Sequence, residues 1–521
     1  PLVLNRFSLL HNPQNLVLVR FYKLIFSTFP PPIIKFVYLG HTKQNKWLGG
    51  TPLKANLNQL SFTDIYSNID EYFQQDKPKL IKLFEQHIDL QNLIPQSFYN
   101  HYHADTGHPR IYKLSSMISA LILKSMLSIA DTSLFINILN LSSELRDICG
   151  FTTVPNASQF SRFKIKFEKD LKNFFDYLVE ITDPICDEIN SYLNDILIVD
   201  TTGIEAYVNE NNPKKFDTLL RQCKALSKNN PTFNAHSFAC SKMPKVSYAN
   251  PDIKLSYMNG HYCYALKTSI VTNGLGIIRD IDFLNDKSTN ITEAATASEA
   301  KDTYDSKSLI PTLNKFFSKH DFKYKYFLGD AGFDAVDNYK YLYKDKNIIP
   351  IIPLRRAPSS PMPGFNENGV PTCPNDNKLL MKFDGITREK GRSDRIKWIC
   401  PKSKKTRING KTQYILTCEN PCTTSKCGKI YQVPIDNNIR MHTVIPRNSS
   451  KWNNLYKTRT IIERTNFMMK YPLALQYTKL NNTESLKSEV ILSAITQLIV
   501  VLIANNINNA QNILSIKKVI S

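Results

Sequence analysis

Five short apolar runs between residues 195 and 353 constrain the fold of this chain more than any other feature. Each run has the length of a strand and is bounded by Gly, Pro, Asp or Asn, which is typical of buried strands separated by turns. The runs begin near residues 195, 261, 276, 324 and 347. Segments with helical character, 292–317 and 334–343, precede the fourth and fifth runs. This order predicts a mixed α/β layer with helices packed on one sheet, and the prolines of the fifth run predict an edge strand.

The sequence before the first run has a helical texture. Residues 78–93 and 112–129 place apolar side chains three and four positions apart, which predicts helices. Asp131 or Thr132 is suited to cap the next helix. Because basic residues such as Arg162 follow one of its helix starts, we interpret residues 55–190 as a helical region compatible with DNA binding. A plain helical bundle would give the same pattern, so both interpretations stay open.

The charge of the chain points to a polyanionic partner. Lys and Arg total 66 and Asp and Glu total 45, a formal net charge of +21. Three basic residues, Arg162, Lys164 and Lys166, follow a polar helix start at Asn156. Because Lys and Arg that neutralise phosphates release condensed counterions, such a chain favours nucleic acid. A basic surface that serves only solubility is the alternative.

The sequence gives no sign of a membrane span or of a secretion signal. The longest apolar run, residues 490–504, is interrupted by Ser493, Thr496 and Gln497. It is short for a bilayer and predicts a buried helix. The chain does not begin with Met, and we leave residues 1–54 as an N-terminal extension with no assigned fold. Without a signal, the 10 cysteines are expected to be reduced thiols of a cytoplasmic protein.

Two carboxylates occupy equivalent places in the predicted sheet. Asp200 ends the first apolar run and Asp330 ends the fourth. Carboxylates that converge from different elements can hold two divalent ions, and Mg²⁺ prefers such oxygen ligands. Either aspartate alone is as well explained as a turn or cap residue. The pair, in the first and fourth strands, favours a metal site.

A third acidic candidate, Glu463, lies in a segment with helical spacing, residues 453–470. Residues three and four positions apart share one helix face. The face that contains Glu463 carries Tyr456, Arg459, Phe467 and Lys470. A carboxylate between two cations could hold a metal and grip phosphates beside it. An ordinary i,i+4 ion pair between Arg459 and Glu463 is the simpler alternative.

Four residues of this segment match, with their spacing, the Y-R-E-K signature of a group of DDE transposases of bacterial insertion sequences: Tyr456, Arg459, Glu463 and Lys470. Asp200, in Ile-Val-Asp-Thr-Thr, and Asp330, in Leu-Gly-Asp-Ala-Gly, resemble the two catalytic aspartates of that group. Residues 259–267 are similar to its second-strand motif, and residues 107–163 to its N-terminal region. The resemblance extends over roughly residues 75–505.

This resemblance implies a ribonuclease-H-like catalytic core that uses Mg²⁺ or Mn²⁺. The implied metal ligands are Asp200, Asp330 and Glu463. The implied contacts to DNA phosphates are Arg459 and Lys470, together with Tyr456 unless it buttresses the helix. The reaction would be hydrolysis at the end of the element, followed by attack of the freed 3′ hydroxyl on target DNA. The implied partners are the terminal inverted repeats and target DNA, bound by a homodimer near the bacterial nucleoid, with no membrane.

Residues 355–450 interrupt the predicted core and are rich in Pro, Gly, Lys and Arg. We interpret them as an insertion subdomain, placed between the second Asp and the Glu as in the family. A structural zinc could staple it through Cys400, Cys418, Cys422 and Cys427, with Cys373 as a substitute for Cys400. Free cysteines are the alternative. Trp398 could serve as the aromatic wedge that some relatives use to flip a base, or it could belong to the core.

The remaining domain boundaries follow from this division. Residues 191–354 are the first part of the catalytic core, and residues 451–521 are its C-terminal helices. Residues 203–260 are polar and predict a long irregular connection. Two other functions compete with an active transposase: a DNA-binding derivative that no longer cuts, and a nuclease that hydrolyses DNA without strand transfer.

Overall fold

The computed structural model of the chain describes most of the residues after position 78. The described ranges are 79–103, 109–227, 233–258, 261–284, 305–356, 362–408, 410–447, 449–514 and residue 519. The expected N-terminal extension, residues 1–54, lies outside these ranges. Pro78 and parts of the two motifs at 107–163 and 259–267 also lie outside them.

Helices precede the main sheet, as the sequence predicted. Within the described residues they are α1 (Lys79–His87), α2 (Leu90–Leu93), α3 (Gln96–Tyr102), α4 (Leu114–Met126), α5 (Thr132–Leu141), α6 (Ser143–Cys149), α7 (Ala157–Lys166) and α8 (Glu168–Asn194). Asp131 caps α5 by accepting from the backbone N–H groups of Ser133 and Leu134. Asn156 forms a capping box with Gln159 at the start of α7. Such caps satisfy amide groups that the first turn of a helix leaves unpaired.

One six-stranded sheet carries the middle of the chain. Its strands are β1 (Ile196–Glu205), β2 (Lys254–Met258), β3 (His261–Asn273), β4 (Ile278–Phe283), β5 (Tyr326–Leu328) and β6 (Ile349–Ile351). The order is β2–β3–β1–β5–β6, and β4 pairs with a different part of β3. Only β1–β5 and β5–β6 are parallel pairs. β6 lies at the edge, as its prolines predicted.

The parallel pairing of β1 with β5 brings the two candidate aspartates to one end of the sheet. The last registered pair joins Ile198 to Leu328. Asp200 and Asp330 each lie two residues further along, so both leave this pairing at the carboxyl ends of parallel strands. The sequence predicted that β1 ends at Asp200. The strand instead continues, because residues 201–205 still pair with β3.

The polar connection 203–260 is more ordered than the sequence predicted. It contains α9 (Pro213–Ser227), α10 (Ala235–Lys242) and strand β2. These elements keep large apolar side chains in solvent, since Leu226 is 67% exposed and Tyr257 is 66% exposed. In α9 the residues Phe216, Leu219, Leu220 and Cys223 nevertheless stand three and four positions apart, a helical period that could have predicted this helix. Further along the chain, α11 (Asp305–Lys319) and α12 (Val336–Lys340) flank β5 in sequence.

Residues 362–447, where described, form small sheets apart from the main one. Their strands are β7 (Thr372–Cys373), β8 (Asp376–Leu380), β9 (Lys382–Thr387), β10 (Arg395–Ile399), β11 (Ser403–Ile408), β12 (Lys411–Leu416) and β13 (Ile430–Pro434). They pair as β13–β10–β9, β11–β12 and β7–β8. Trp398 in β10 is 3% exposed and packs on Phe383 with ring centroids 5.8 Å apart. It is therefore a core residue, and the proposed role as a base-flipping wedge is wrong.

Three helices follow these small sheets: α13 (Ser450–Lys457), α14 (Thr460–Lys470) and α15 (Thr483–Asn506). The single helix expected over residues 453–470 is interrupted at Thr458 and Arg459. Among the described residues, only α15 is long and apolar enough to cross a membrane, and 94% of its apolar window is buried inside the protein. It is therefore a core helix, as the interrupted run at 490–504 predicted.

Two apolar cores hold these elements together. The larger joins the N-terminal helices, above all α4 and α8, to α15 and to β3 and β4. The second joins β1, β5 and β6 to α11, α13 and the small sheets. α7 packs against α15, where Lys164 is 2% exposed and lies 2.7 Å from Glu489. Lys164 is therefore an internal ion-pair partner, and of the three basic residues near this helix start it does not contribute to an exposed basic surface.

Candidate active site

Asp200 lies in β1, and its polar neighbours include Asn466 of α14 and Arg459, the residue just before α14. The Nδ2 amide of Asn466 donates to Asp200 Oδ2 at 3.0 Å. Arg459 Nη2 lies 3.5 Å from Asp200 Oδ1, and Arg459 Nη1 donates to Glu463 Oε1 at 2.7 Å. One guanidinium therefore joins two of the three candidate carboxylates. The i,i+4 ion pair between Arg459 and Glu463 therefore exists, but Arg459 also contacts Asp200 in the sheet.

Asp330 lies just after β5, where the chain turns. Its Oδ1 accepts from the backbone N–H of Gly332 at 2.8 Å, so the residue also caps the short turn Ala331–Phe333. The cap interpretation is thus correct at the local level. It does not compete with a metal site, because a carboxylate has two oxygens and several lone pairs.

The electrostatics of Asp200 set it apart from an ordinary aspartate. Burial raises its pKa to about 7; Arg459 opposes the shift, while the charges of Asp330, Asp305 and Glu463 add to it. Burial also raises the pKa of Asp330, with Asp305 adding to the shift. Charges interact this strongly only when the groups are close and poorly solvated. The carboxylates therefore share one site with an excess of negative charge.

A cleft of about 490 Å³ opens beside Asp200. Its lining residues include Asp200, Thr201, Thr202, Glu205, His261, Glu463, Asn466, Phe467 and Lys470. Of the residues predicted from the sequence, Asp200, Glu463 and Lys470 thus face one opening. Phe467, which also lines this cleft, is 59% exposed to solvent.

The two other predicted phosphate contacts have different surroundings. Tyr456 is half-buried and stacks on Trp452, with ring centroids 4.8 Å apart and planes at 19°. Burial raises its pKa, with Asp330 and Glu463 among the charges that act on it. This position suits a residue that buttresses α13 beside the carboxylates. Lys470 is 8% exposed, and burial lowers its pKa against the opposing charge of Glu205.

Several residues of this site were missed in the sequence. Asn466 lies three positions after Glu463, a helical spacing that could have indicated it. Asp305 begins α11, and no local pattern in the sequence indicates its approach to the turn of Asp330. A second group of metal-type ligands, Glu205, His261 and Cys263, places its ligand atoms within 4.8 Å of one another. The strand pattern alone did not distinguish these residues from ordinary sheet positions.

The cysteines predicted to bind zinc are only partly brought together. Burial raises the pKa of the Cys422 thiol, and the neighbouring Cys373 and Cys400 add to the shift. The Cys418 thiol instead donates to the carbonyl of Asn420 at 3.3 Å. Among the described residues, no three cysteines hold sulfurs within 4.8 Å. The predicted set Cys400, Cys418, Cys422 and Cys427 is therefore not assembled at metal-ligand spacing.

Comparison with known proteins places the chain in a family. The model of the Transposase DDE domain matches residues 192–499. The model of a second family, Transposase domain (DUF772), matches residues 67–166. No curated protein matches the chain. The sheet order, with β1, β5 and β6 parallel and β3 and β4 antiparallel to their neighbours, fits a ribonuclease-H-like core.

A solved structure also matches, the cryo-EM structure of a piggyBac transposase synaptic complex with hairpin DNA. The two chains are 10% identical, and the match covers 86% of this chain and 79% of that one with a TM-score of 0.34. At this TM-score the match does not establish a shared fold, and the assignment rests on the family models. Since the DDE model alone spans more than half of the 521 residues, the chain belongs to the family of transposases with a DDE domain.

Proposed function

We propose that this chain is an active DNA transposase that cuts DNA at the ends of an insertion sequence and joins the freed ends to target DNA. Its metal ligands in this proposal are Asp200, Asp330 and Glu463. The observation that carries the proposal is the convergence of these carboxylates. Arg459 contacts both Asp200 and Glu463, and Asp330 raises the pKa of Asp200.

The residues present fit a divalent cation. Every proposed ligand atom is a carboxylate oxygen, the type that Mg²⁺ and Mn²⁺ prefer. The pKa of Asp200 stands at about 7 because Arg459 only partly offsets burial and the neighbouring carboxylates. A bound cation would relieve this repulsion. When bound, two such ions activate the attacking oxygen and stabilise the leaving oxygen of a phosphodiester.

The chain's own residues have separate tasks in this proposal. Asn466 and Arg459 hold the Asp200 carboxylate in place through the contacts described above. Lys470 lines the cleft, and we assign it the neutralisation of a DNA phosphate as a point charge. Tyr456 buttresses α13 through Trp452. Asp200 and Asp330 are partly shielded from water, so the local dielectric is low. A low dielectric strengthens the interactions between charged groups of the site and the substrate.

We further assign the chain to the Y-R-E-K group, because its four signature residues keep their spacing. One of them, Arg459, contacts a second, Glu463, and also Asp200. DNA is the partner that the family and the net charge of +21 support. Binding as a homodimer, recognition of terminal inverted repeats and a cytoplasmic location near the nucleoid stay predictions from the resemblance.

The test is cleavage of DNA that carries the ends of the flanking element, with Mg²⁺, by wild type and by Glu463→Gln. We expect end-specific nicks from wild type and a loss of at least about 100-fold in the variant, since even residues outside the metal ligands often cost 10–100-fold. Glu484→Gln is the matched control, because Glu484 is also a first-turn glutamate, in α15. It should cleave as wild type does.

The alternatives predict other outcomes. DNA binding without cleavage by either protein would identify a derivative that no longer cuts. Mg²⁺-dependent cleavage that ignores the element's ends and gives no joined product would identify a nuclease. Cleavage that survives Glu463→Gln would remove Glu463 from the proposed ligand set.

A further inference from the structure

A fourth carboxylate, Asp305, stands beside the proposed metal ligands. It is the first residue of α11. Its Oδ1 accepts from the Thr201 hydroxyl at 2.8 Å and from Lys267 Nζ at 2.9 Å. Thr201 follows Asp200 directly in β1, and Lys267 lies opposite Gly203 in β3. One oxygen of Asp305 therefore ties the start of α11 to the strand that carries Asp200.

The other oxygen of Asp305 faces the turn that carries Asp330. A Cβ added to Gly332 would lie 3.0 Å from Asp305 Oδ2 and 2.9 Å from Asp330 Oδ1. The backbone of Gly332 thus fits between the two carboxylates, and a side chain there would displace one of them. The same glycine donates its N–H to Asp330 Oδ1. Asp305 and Asp330 are therefore held on either side of one backbone unit.

A second contact fixes the start of α11 to this turn. The buried Asn338 donates through Nδ2 to the carbonyl of Ser306 and to that of Phe333, both at 2.9 Å. Ser306 follows Asp305, and Phe333 ends the turn that begins after Asp330. A shift of the backbone at Asp305 would therefore strain or break one of these two hydrogen bonds. Its charge reaches both aspartates, since it raises the pKa of Asp200 and of Asp330.

We infer that Asp305 is a positioning residue that keeps Asp200 and Asp330 at a fixed separation. It hydrogen-bonds to the strand that carries Asp200, and it packs against the turn that carries Asp330. This inference rests on the proposed function, because it assigns a role within the same metal site. Residues that orient metal ligands from outside the ligand set typically change metal affinity by 10–100-fold when removed. Asp305 is expected to act on metal affinity more than on the maximal rate of cleavage.

The experiment measures Mn²⁺ binding by electron paramagnetic resonance, together with the Mg²⁺ concentration that gives half-maximal cleavage. The variants are Asp305→Ala, Asp305→Asn and Asp200→Asn. Asp282→Ala is the matched control, because Asp282 also accepts from a threonine and a lysine, Thr312 and Lys315, both at 2.8 Å. Unlike Asp305, Asp282 is not among the main charges that raise the pKa of Asp200 or Asp330.

We expect Asp305→Ala to weaken Mn²⁺ binding about tenfold and to raise the half-maximal Mg²⁺ concentration by a similar factor. The cleavage rate at saturating Mg²⁺ should change less. Asp305→Asn should have a smaller effect, since its amide oxygen still accepts from Thr201. Asp282→Ala should bind Mn²⁺ as wild type does, even if it unfolds at a lower temperature.

Two results would overturn the inference while leaving the metal site intact. Mn²⁺ affinity of Asp305→Ala within twofold of wild type, with Asp200→Asn impaired, would show that Asp305 does not position the ligands. Loss of binding as complete as in Asp200→Asn would make Asp305 a ligand itself. If Asp200→Asn also binds Mn²⁺ like wild type, the metal site of the proposed function fails, and the role of Asp305 fails with it.

Discussion

At the scale of single residues, the environment of Asp200 disfavours its charged form. Its folded-state pKa of about 7 exceeds the value of 3.8 that applies to an unperturbed aspartate. The folded protein therefore keeps a proton that the unfolded chain releases between these two values. It follows that the free energy of unfolding of the metal-free protein falls as pH rises from about 4 to about 7. A divalent cation would reverse this trend, because it favours the ionised carboxylate.

Asp200→Asn should therefore stabilise the metal-free protein at pH 8. Asn resembles the neutral acid, and the difference between a pKa of 3.8 and one of about 7 corresponds to on the order of 2–4 kcal/mol. At pH 5 the gain should be much smaller, since the wild-type carboxyl is then mostly protonated. Urea unfolding in EDTA at both pH values measures this difference. Asp187→Asn, at an exposed position of α8, is the control, and equal stability of wild type and Asp200→Asn at pH 8 would contradict the argument.

The sequence located the three carboxylates but not their neighbours. Asp200 and Asp330 were found because each ends an apolar run, and Glu463 through a resemblance. Asn466 and Asp305 were missed because their contacts are made between distant parts of the chain: Asn466 and Asp200 are 266 positions apart. Such pairs depend on how helices dock on the sheet, which no local pattern encodes.

At the scale of elements, an ion pair joins the turn after β5 to the segment of small sheets. The Asp334 side chain is fully buried, and Arg440 donates to it through Nε at 2.9 Å and Nη2 at 2.6 Å. Burial alone would raise the pKa of Asp334, but Arg440 and the N–H of Arg355 outweigh it and lower the pKa. The bidentate pair therefore fixes the segment that precedes α13 against the strand end near Asp330.

Asp334→Ala should cost about 3–5 kcal/mol of unfolding free energy, because it leaves the Arg440 guanidinium without its partner in a largely buried place. The comparison is Glu389→Ala, which breaks an exposed pair with Arg392 and should cost less than about 1 kcal/mol. Urea unfolding of the two variants gives both values. Similar small losses would show that the Asp334 pair does not hold the two elements together.

Zinc binding by the segment of small sheets remains a prediction. Cys422 lies near Cys373 and Cys400, so these three are the sulfurs best placed to move into a tetrahedral site. We expect purified protein to retain about one zinc ion, and Cys422→Ser to lose it. Cys240→Ser is the control, since Cys240 is also partly exposed. Elemental analysis that finds no zinc, or zinc unaffected by Cys422→Ser, would favour the alternative of free cysteines.

Helices and strands could be predicted from the sequence where one face of the element, or all of it, is buried. α15 and the apolar strands of the sheet were found from their runs, and α5 and α7 from their capping residues. Boundaries failed where a tertiary partner or a local cap decides them. β1 runs past Asp200 because β3 continues beside it. The segment 78–93 is split because Asp89 caps a second start.

At the scale of the whole molecule, the N-terminal helices and the C-terminal helix form one structural unit. α4, α7 and α8 pack on α15, although about 300 residues of sheet and small sheets separate them in sequence. The site helix α14 immediately precedes α15 along the chain, so the position of α15 bears on the position of Glu463. The predicted boundary near residue 190 therefore separates regions of sequence that share a core.

A buried ion triad lies within this shared core. Glu489 of α15 lies 3.2 Å from Lys124 of α4 and 2.7 Å from Lys164 of α7, and all three side chains are at most 5% exposed. Burial alone would raise the pKa of Glu489, but the two lysines outweigh it and lower the pKa to about 2. The contribution of the triad is therefore complete above the pKa of an unfolded glutamate, about 4.5, and is lost as pH falls toward about 2.

Glu489→Gln should cost about 3–5 kcal/mol at pH 7, because it leaves two buried ammonium groups without a counter-charge. If the two cores unfold cooperatively, far-UV circular dichroism and tryptophan fluorescence should report the same lowered urea midpoint. Trp398 and Trp452, two of the three tryptophans of the chain, belong to the second core. In a Trp47→Phe background, fluorescence therefore senses a region that the triad does not touch. Glu484→Gln, an exposed change in the same helix, should leave both midpoints unchanged. A lowered midpoint in circular dichroism alone would show instead that the N-terminal helices and α15 unfold independently of the core that carries Asp200 and Asp330.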